Sequence, residues 1–463
     1  VKEPPEPKPP APYDGLPAPR RHWAAATLMT ALVLSVVDAT IAHVALPDIA
    51  RDLDTTPATA VWIANAYNLA VVMLLLPLAA IAERIGARRM FAIGLSLFTV
   101  ASLWSALSTT LTMLTIGRVL QGIGGAAIMC LVGGLVRNIY PLKHLGMGMS
   151  LNATTVAVSS VIGPTLGSAI LSVASWPWIF AVNVPIGFIA LFGVRFLPDV
   201  PRNNVRFDKT SALVCMMALA SFVLAVDLLI SKPLHAGGLF VVFALSTVFL
   251  FRRARHQTAP LVPVDLLRIR QVGFAVAASW LTFAAQMATF VTMPFFFTAV
   301  MGRPAIEVGL LMASWPVGTA LVSTLAGRAS DKYSAAALSG IGAGAMVAGL
   351  LALLLLPLGA SRLAIMACLL VAGMGFGFFQ TPNNRSMLTA APRSRSAAAG
   401  GLQATTRVFG QSFGTALVAV AFGLSVVQGP VVGLALAACC AALAVVVNCV
   451  RLKAMPHRSS RSG

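Results

Sequence analysis

The feature that most limits this chain is a succession of long apolar runs separated by short gaps rich in Arg and Lys. A helix needs about 20 apolar residues to cross a bilayer core at about 1.5 Å rise per residue. Cutting the chain at its charged or Gly/Pro-rich gaps gives fourteen candidate spans: 23–49, 60–82, 89–107, 111–136, 147–172, 178–197, 211–230, 236–251, 273–300, 306–327, 335–357, 362–382, 398–425 and 429–450. The segment 236–251 is the weakest of them, and a tilted or half-buried helix is its alternative. Composition agrees with a bilayer as the solvent, since 58% of the 463 residues are hydrophobic and 10% charged, too little polar surface to cover a soluble fold. The fold class expected is an all-α polytopic membrane protein with fourteen transmembrane helices.

The formal charge is +19, from 33 Lys and Arg against 14 Asp and Glu. Such a balance often marks nucleic-acid binding. Here the bases sit in the gaps between apolar runs and form no single basic face, so no nucleic-acid partner is expected. Cytoplasmic loops concentrate Lys and Arg, which tests the span count independently. With the N-terminus inside, all of the bases fall in cytoplasmic gaps and tails except Arg51, Lys232, Arg303 and Arg362, and except Arg118 and Arg407, which fall within spans. Both termini are therefore expected in the cytoplasm. The Pro-rich stretch before residue 23 reads as a disordered tail and not as a signal peptide. The first residue is Val1 rather than methionine, which points to a missing or processed start. The six cysteines lie inside apolar runs with no Cys-x-x-Cys pair, so they read as packing residues.

The second span is followed by Glu83, Arg84, Gly86 and Arg88 in a tight turn, and the tenth by Arg328, Asp331 and Lys332. With spans seven and eight set aside, these turns occupy equivalent places in two six-helix halves. The same offset brings Gly163 and Pro164 of span five near Gly410 and Gly414 of span thirteen. Parallel halves with a site near the midplane between them are the architecture of major facilitator transporters. The expected organisation is a tail (1–22), a six-helix bundle (23–200), an inserted helix pair with cytoplasmic linkers (201–270), a second six-helix bundle (271–451) and a tail (452–463).

Several motifs strengthen that resemblance. The turn at 81–89 resembles the superfamily's signature loop, with Ala79, Glu83 and Ala87 departing from its usual residues. Arg118-Val119-Leu120-Gln121-Gly122 is similar to the motif of the fourth helix, and Gly163-Pro164-Thr165-Leu166-Gly167 resembles the Gly-Pro motif associated with antiporters. The segments Asp38–Pro47 and Trp178–Gly187 resemble the fourteen-helix drug:proton antiporter family. That resemblance implies a proton-coupled multidrug efflux transporter in a bacterial inner membrane, exporting cationic or amphipathic toxicants such as quaternary ammonium compounds, dyes and viologens by alternating access. A proton-coupled transporter of an endogenous metabolite on the same fold is the alternative. The partners implied are these small molecules, protons and the lipid bilayer, and the unit expected is a monomer.

An ionised carboxylate at the bilayer centre costs about 2.5–3.5 kcal/mol on insertion scales, and among the acids only Asp38 and Asp227 fall well within spans. Asp38 is the expected proton carrier, taking a proton from outside and losing it toward the cytoplasm or to an arriving cationic substrate. A helix-packing hydrogen bond is the competing role. Arg118 is its natural partner, either for coupling or as a helix-to-helix bond. His43 suits a proton relay or plain packing. Asp227 suits a second proton site or a solvated boundary position. The expected cavity residues are Gln286 and Phe290 in span nine, in a series with Trp280, Phe283, Met287 and Phe297 that equally suits a lipid-facing stripe. Trp62, Asn65 and Tyr67 in span two join them through the family resemblance. Gly163, Pro164 and Gly167 are expected to form a hinge, a seal or a close helix contact. Arg407 is expected near the cytoplasmic end of span thirteen, snorkelling to the interface. No P-loop and no metal-ligand cluster occurs, so no cofactor is expected. The scattered histidines argue against a membrane enzyme.

Overall fold

The computed structural model describes residues 15–55, 57–200, 207–229, 232–255, 257, 260–303, 305–357, 359–392, 395–424 and 428–454. The expected tails at 1–14 and 455–463 and the linker at 201–206 lie outside the described residues, as do the side chains of His43, Trp62, Pro164 and Asp227. Among the described residues no strand occurs. The long helices are α1 (Ala18–Asp52), α2 (Pro57–Ile85), α3 (Ala87–Ala106), α4 (Leu111–Ile139), α5 (Leu145–Val173), α6 (Pro177–Phe196, broken at Val182), α7 (Lys209–Asp227), α8 (Pro233–Ala254), α9 (Arg270–Phe295), α10 (Ala305–Ser330), α11 (Ala335–Leu354), α12 (Arg362–Ala390), α13 (Ser396–Leu424) and α14 (Gly429–Ala454). Twelve of them are long and apolar enough to cross a membrane, and α5 and α13 are two further helices of 29 residues each.

Local chemistry sets several boundaries. The chain turns from α2 into α3 at Gly86, whose φ of +99° lies in the region where a Cβ would be strained. The Thr110 hydroxyl caps α4 by accepting from the Met113 amide at 3.2 Å. Asp208 caps α7 through the Ser211 amide at 3.1 Å and also accepts from Arg253 of α8 at 2.7 Å. These contacts hold the Asp208 carboxyl below the usual carboxylate range, the Arg253 hydrogen bond being the largest cause. The weakest expected span, 236–251, is a full 22-residue helix, α8. Helix α1 starts at Ala18, ahead of the expected limit at 23, because Pro17 pre-sets its entry and Leu16 is pinned by its amide to the Ile139 carbonyl.

Packing repeats along the chain. Helix α2 lies on α4, α3 on α4, α1 on α5 and α3 on α6, and the same pattern recurs as α10 on α12, α11 on α12, α9 on α13 and α11 on α14. The glycines expected to correspond do so physically. A Cβ at Gly163 would meet the Thr40 side chain of α1 at 1.9 Å, and one at Gly414 would meet the Ala284 carbonyl of α9 at 2.2 Å. Both positions are points where helix backbones approach closely. Helices α7 and α8 pack on each other through Phe222 and Phe243, and α7 lies on α2 and meets α13 through Phe222 and Phe409. Helix α8 then turns a largely exposed apolar face outward, including Leu234, Val241 and Leu245, as a lipid-facing helix should.

The two halves meet through α5 on α10 and α12, and through α13 on α2 and α4. These contacts gather at the end that carries the basic loops. There α5 and α10 touch backbone to backbone: a Cβ at Gly146 would lie 2.2 Å from the Gly327 carbonyl oxygen. The basic end is closed.

Candidate functional site

Two sites emerge, a polar cluster inside the first half and a cavity between the halves. In the first, Asp38 of α1 and Arg118 of α4 are fully buried, and Arg118 Nη1 donates to Asp38 Oδ2 at 2.5 Å. The other carboxylate oxygen accepts from Asn183 Nδ2 of α6 at 2.7 Å and from Gln121 Nε2 at 3.2 Å. Gln121 Oε1 in turn accepts from Arg118 Nη1 at 2.9 Å, and its amide nitrogen donates to Ser102 Oγ of α3 at 2.8 Å. Arg118 and Gln121 are three residues apart on one helix, so both side chains leave the same face of α4. The guanidinium lies over the Tyr67 ring at 4.4 Å and the Phe180 ring at 5.5 Å, contacts that favour a desolvated cation. The carboxylate is thus satisfied by Arg118 and by neutral amide donors, whereas Arg118 Nη2 is buried with no described partner.

The cavity, about 600 Å³, is lined from α5, α9, α10, α12 and α13. Gln286 and Phe290 both line it, together with Phe283, Trp315, Phe376 and Gln380. Phe290 meets the Trp315 ring edge-on at 5.4 Å. Trp280, expected alongside them, packs instead on Phe413 at 4.5 Å, and Phe297 is buried. Tyr67 and Asn65 are not among the lining residues. Tyr67 is drawn into the first half because α4 presents glycines to it: a Cβ at Gly125 would sit 2.8 Å from its hydroxyl, and that hydroxyl donates to the Ser35 carbonyl at 3.3 Å.

Two further expectations are corrected by this geometry. Asp38 is not part of the described cavity lining, which contains no carboxylate. Arg407 does not snorkel. Helix α13 begins at Ser396, which puts residue 407 three turns inside it, and its side chain lines both the main cavity and an adjoining recess of about 40 Å³. Tyr67 stacks against Arg118 inside the first half.

The motif residues at the basic end join the halves. Glu83 Oε2 of α2 accepts from Arg395 Nη1 at 2.5 Å, and Glu83 Oε1 accepts from the Ala398 amide at 3.1 Å. Arg395 also donates to Asp265 at 3.1 Å; burial alone would lower its guanidinium, but Glu83 and Asp265 together hold it above its ordinary value. Asp331 accepts from the Gly146 amide at 3.1 Å and pairs with Arg385 at 3.3 Å. Burial pushes the Asp331 carboxyl up against the opposing effects of Gly146, Arg385 and His144. Arg84 is exposed, and Arg88 reaches only the exposed Asp199, at 3.8 Å. Gly167 is buried in α5 beside Gly163, and Pro164 lies between them on the same helix. His43 is in α1 five residues after Asp38, and Asp227 ends α7, an element that supplies none of the described cavity lining. Arg395, Asp265 and Asn183 were not expected at a site. Asn183 lay within a recognisable motif, but Arg395 and Asp265 read as ordinary loop charges. No group of three or more metal-ligating side chains occurs among the described residues.

Comparison with known proteins gives this arrangement a place. The family model described as Major Facilitator Superfamily matches residues 28–415. The chain is 42% identical over 445 residues to the uncharacterized transporter YebQ of Escherichia coli K12, covering 95% of this chain and 97% of that one. It is 28% identical to the riboflavin transporter RibZ of Clostridioides difficile (85% and 86% covered) and 27% identical to multidrug resistance protein 3 of Bacillus subtilis (86% and 78% covered). Among solved structures, the human organic anion transporter MFSD10 aligns with a TM-score of 0.67 at 14% identity, covering 92% of this chain and 99% of that one, a likeness of fold. The chain belongs to the major facilitator superfamily and is a multi-pass membrane transporter of small molecules.

Proposed function

We propose that this transporter exports amphipathic small molecules by alternating access, driven by protons that bind at Asp38. The observation that supports it most is the fully buried Asp38–Arg118 pair, a costly arrangement inside an apolar bundle unless its charge state is used. Protonating Asp38 removes the negative partner and leaves Arg118 held by neutral groups alone, which changes the favoured packing of α1, α4 and α6 around it. A neutral acid and a bare carboxylate thereby favour different conformations, and that difference is what a coupled cycle needs. Coupling is indirect in this scheme: the acid acts through Arg118 and Tyr67 rather than by touching cargo. His43 on the same helix is the candidate relay and Asp227 a second proton site, both resting on position alone.

The basic end is cytoplasmic in this reading, so the closed contacts around Glu83, Arg395, Gly146 and Asp331 are the inner gate. Cargo enters when they part and leaves outward when they close. Each elementary charge crossing 100 mV supplies about 2.3 kcal/mol, comparable with the cost of parting one buried ion pair at the gate. Of the two cargo classes expected from the sequence, the aromatic, amide-lined wall supports amphipathic compounds; no described lining carboxylate is available to pair with a cation.

The test uses everted membrane vesicles with a preformed pH gradient. Adding amphipathic compounds, with carboxyfluorescein and ethidium in the panel, should dissipate the gradient in the wild type, and Asp38→Asn should abolish the response. Unchanged drug-induced proton release in Asp38→Asn would remove the proton role.

A further inference from the structure

We infer that the cavity is a site for an amphipathic organic anion, with Arg407 as the group that holds its acidic end. Arg407 lies three turns inside α13 and faces both the cavity of about 600 Å³ and its recess. Among the described residues nothing hydrogen-bonds to its guanidinium or pairs with it. The three fully buried arginines each have partners. Arg118 is paired with Asp38, Arg395 with Glu83 and Asp265, and Arg451 donates to Asn383 Oδ1 at 2.8 Å and to Ser386. Arg407, half-buried at the cavity wall, differs from these three in having no such partner among the described residues.

Its surroundings offer no hidden counterion. The lining of both spaces contains no carboxylate. The electrostatic neighbour Tyr67 is a neutral phenol, since its hydroxyl donates to the Ser35 carbonyl. The polar groups that accompany Arg407 include the amides of Gln286, Gln380 and Gln411 and the hydroxyls of Ser160 and Thr319, all able to donate to an anionic oxygen, though more weakly than the guanidinium. A planar guanidinium suits a carboxylate, sulfonate or phosphate ester through paired N–H donors. The remaining wall, with Phe290 and Phe376 packed about the Trp315 ring at 5.4 and 6.2 Å, suits a ring system. A cavity of this size accepts a drug-sized molecule. The occupant that satisfies every part of this wall is an aromatic compound carrying an acidic group.

This inference rests on the reading of the cavity as the cargo site, and not on the proton role of Asp38. The test is binding to the full-length protein in lipid nanodiscs, read by fluorescence anisotropy, with carboxyfluorescein as the aromatic anion and ethidium as the aromatic cation. The wild type should bind carboxyfluorescein more tightly than ethidium. Arg407→Gln should weaken carboxyfluorescein by about tenfold or more, the worth of a charge-assisted hydrogen bond, and Arg407→Lys should recover part of the loss. Gln411→Glu places a carboxylate one turn from Arg407, so it should also weaken the anion while leaving ethidium unchanged or tighter. It keeps the test decisive if Arg407→Gln folds poorly. Binding is read at equilibrium with no pH gradient, so carboxyfluorescein binding that depends on Arg407 while gradient-driven transport is absent would separate failure of the proton scheme from failure of this inference. Absent saturable carboxyfluorescein binding, a preference for ethidium, or anion binding indifferent to both Arg407→Gln and Gln411→Glu would overturn it.

Discussion

Arg118 and Arg407 are both guanidinium groups inside helices of spanning length, and they differ in what neutralises them. Arg118 is closed off by Asp38, Gln121, Tyr67 and Phe180, every partner drawn from the same half of the chain. Arg407 faces a cavity at the seam between the halves and has no ion-pair partner among the described residues. In the scheme proposed above, the first is internal machinery whose state is set by a proton, and the second is a charge left for something that enters. The contrast teaches that a buried cation in a transporter helix is not one kind of feature: its role follows from whether the chain supplies its counterion.

The comparison is broken most severely by removing the acid. Asp38→Asn strands Arg118 in an apolar interior and should cost about 3–5 kcal/mol, the range for leaving one partner of a buried pair, read as a large fall in melting temperature in detergent. The double variant Asp38→Asn with Arg118→Gln should recover much of that loss, and simple additivity of the two singles would show that no pair exists. Arg407→Gln is the matching change at the other site. Because it breaks no described ion pair, its melting temperature should match or exceed that of the wild type. A loss as large as that of Arg118→Gln would erase the distinction.

A wedge at the seam separates the two regions in another way. Gly146→Leu would drive its Cβ into the Gly327 carbonyl oxygen, so the basic end should stay parted. A cysteine placed at the buried Ser330 in a background lacking native cysteines should then react with a maleimide added from the cytoplasmic side. Reaction no faster than in the unwedged parent would show that these helices do not form a gate. Glu83→Gln should loosen the same end less, by about 1–3 kcal/mol of a charged hydrogen bond, seen as a partial rise in the same labelling.

The smallest expected effect lies at Asp208, remote from both arginines. Its carboxyl is held below the ordinary range, so its stabilising contribution is present above the unfolded value and is lost only as pH falls through the lower folded one. Protection of the Ser211 amide from hydrogen exchange should therefore persist at mildly acidic pH, and Asp208→Ala should reduce it by about 1 kcal/mol, the worth of a helix cap.

Much of the membrane fold was legible because a bilayer leaves few options: long apolar runs, basic gaps and a displaced repeat of glycines point to one architecture. The Asp38–Arg118 contact was legible for a related reason, since two opposite charges among apolar helices of one half have little else to pair with. The facing of individual side chains was not. Helix α2 is apolar nearly all round, so periodicity does not say that Tyr67 turns toward the glycine face of α4 rather than toward the cavity. Arg407 was misplaced because an arginine inside a helix can reach back to the interface or face an internal space, and the helices packed around it, which line the cavity with it, decide which. Such contacts between halves are distant in sequence and leave no local pattern.

The most direct test of the central idea compares uphill transport with simple exchange in proteoliposomes. With a pH gradient imposed, the wild type should accumulate a transported compound against its concentration, whereas Asp38→Asn should only exchange it across the membrane at a comparable rate. Accumulation by Asp38→Asn equal to that of the wild type would contradict the account.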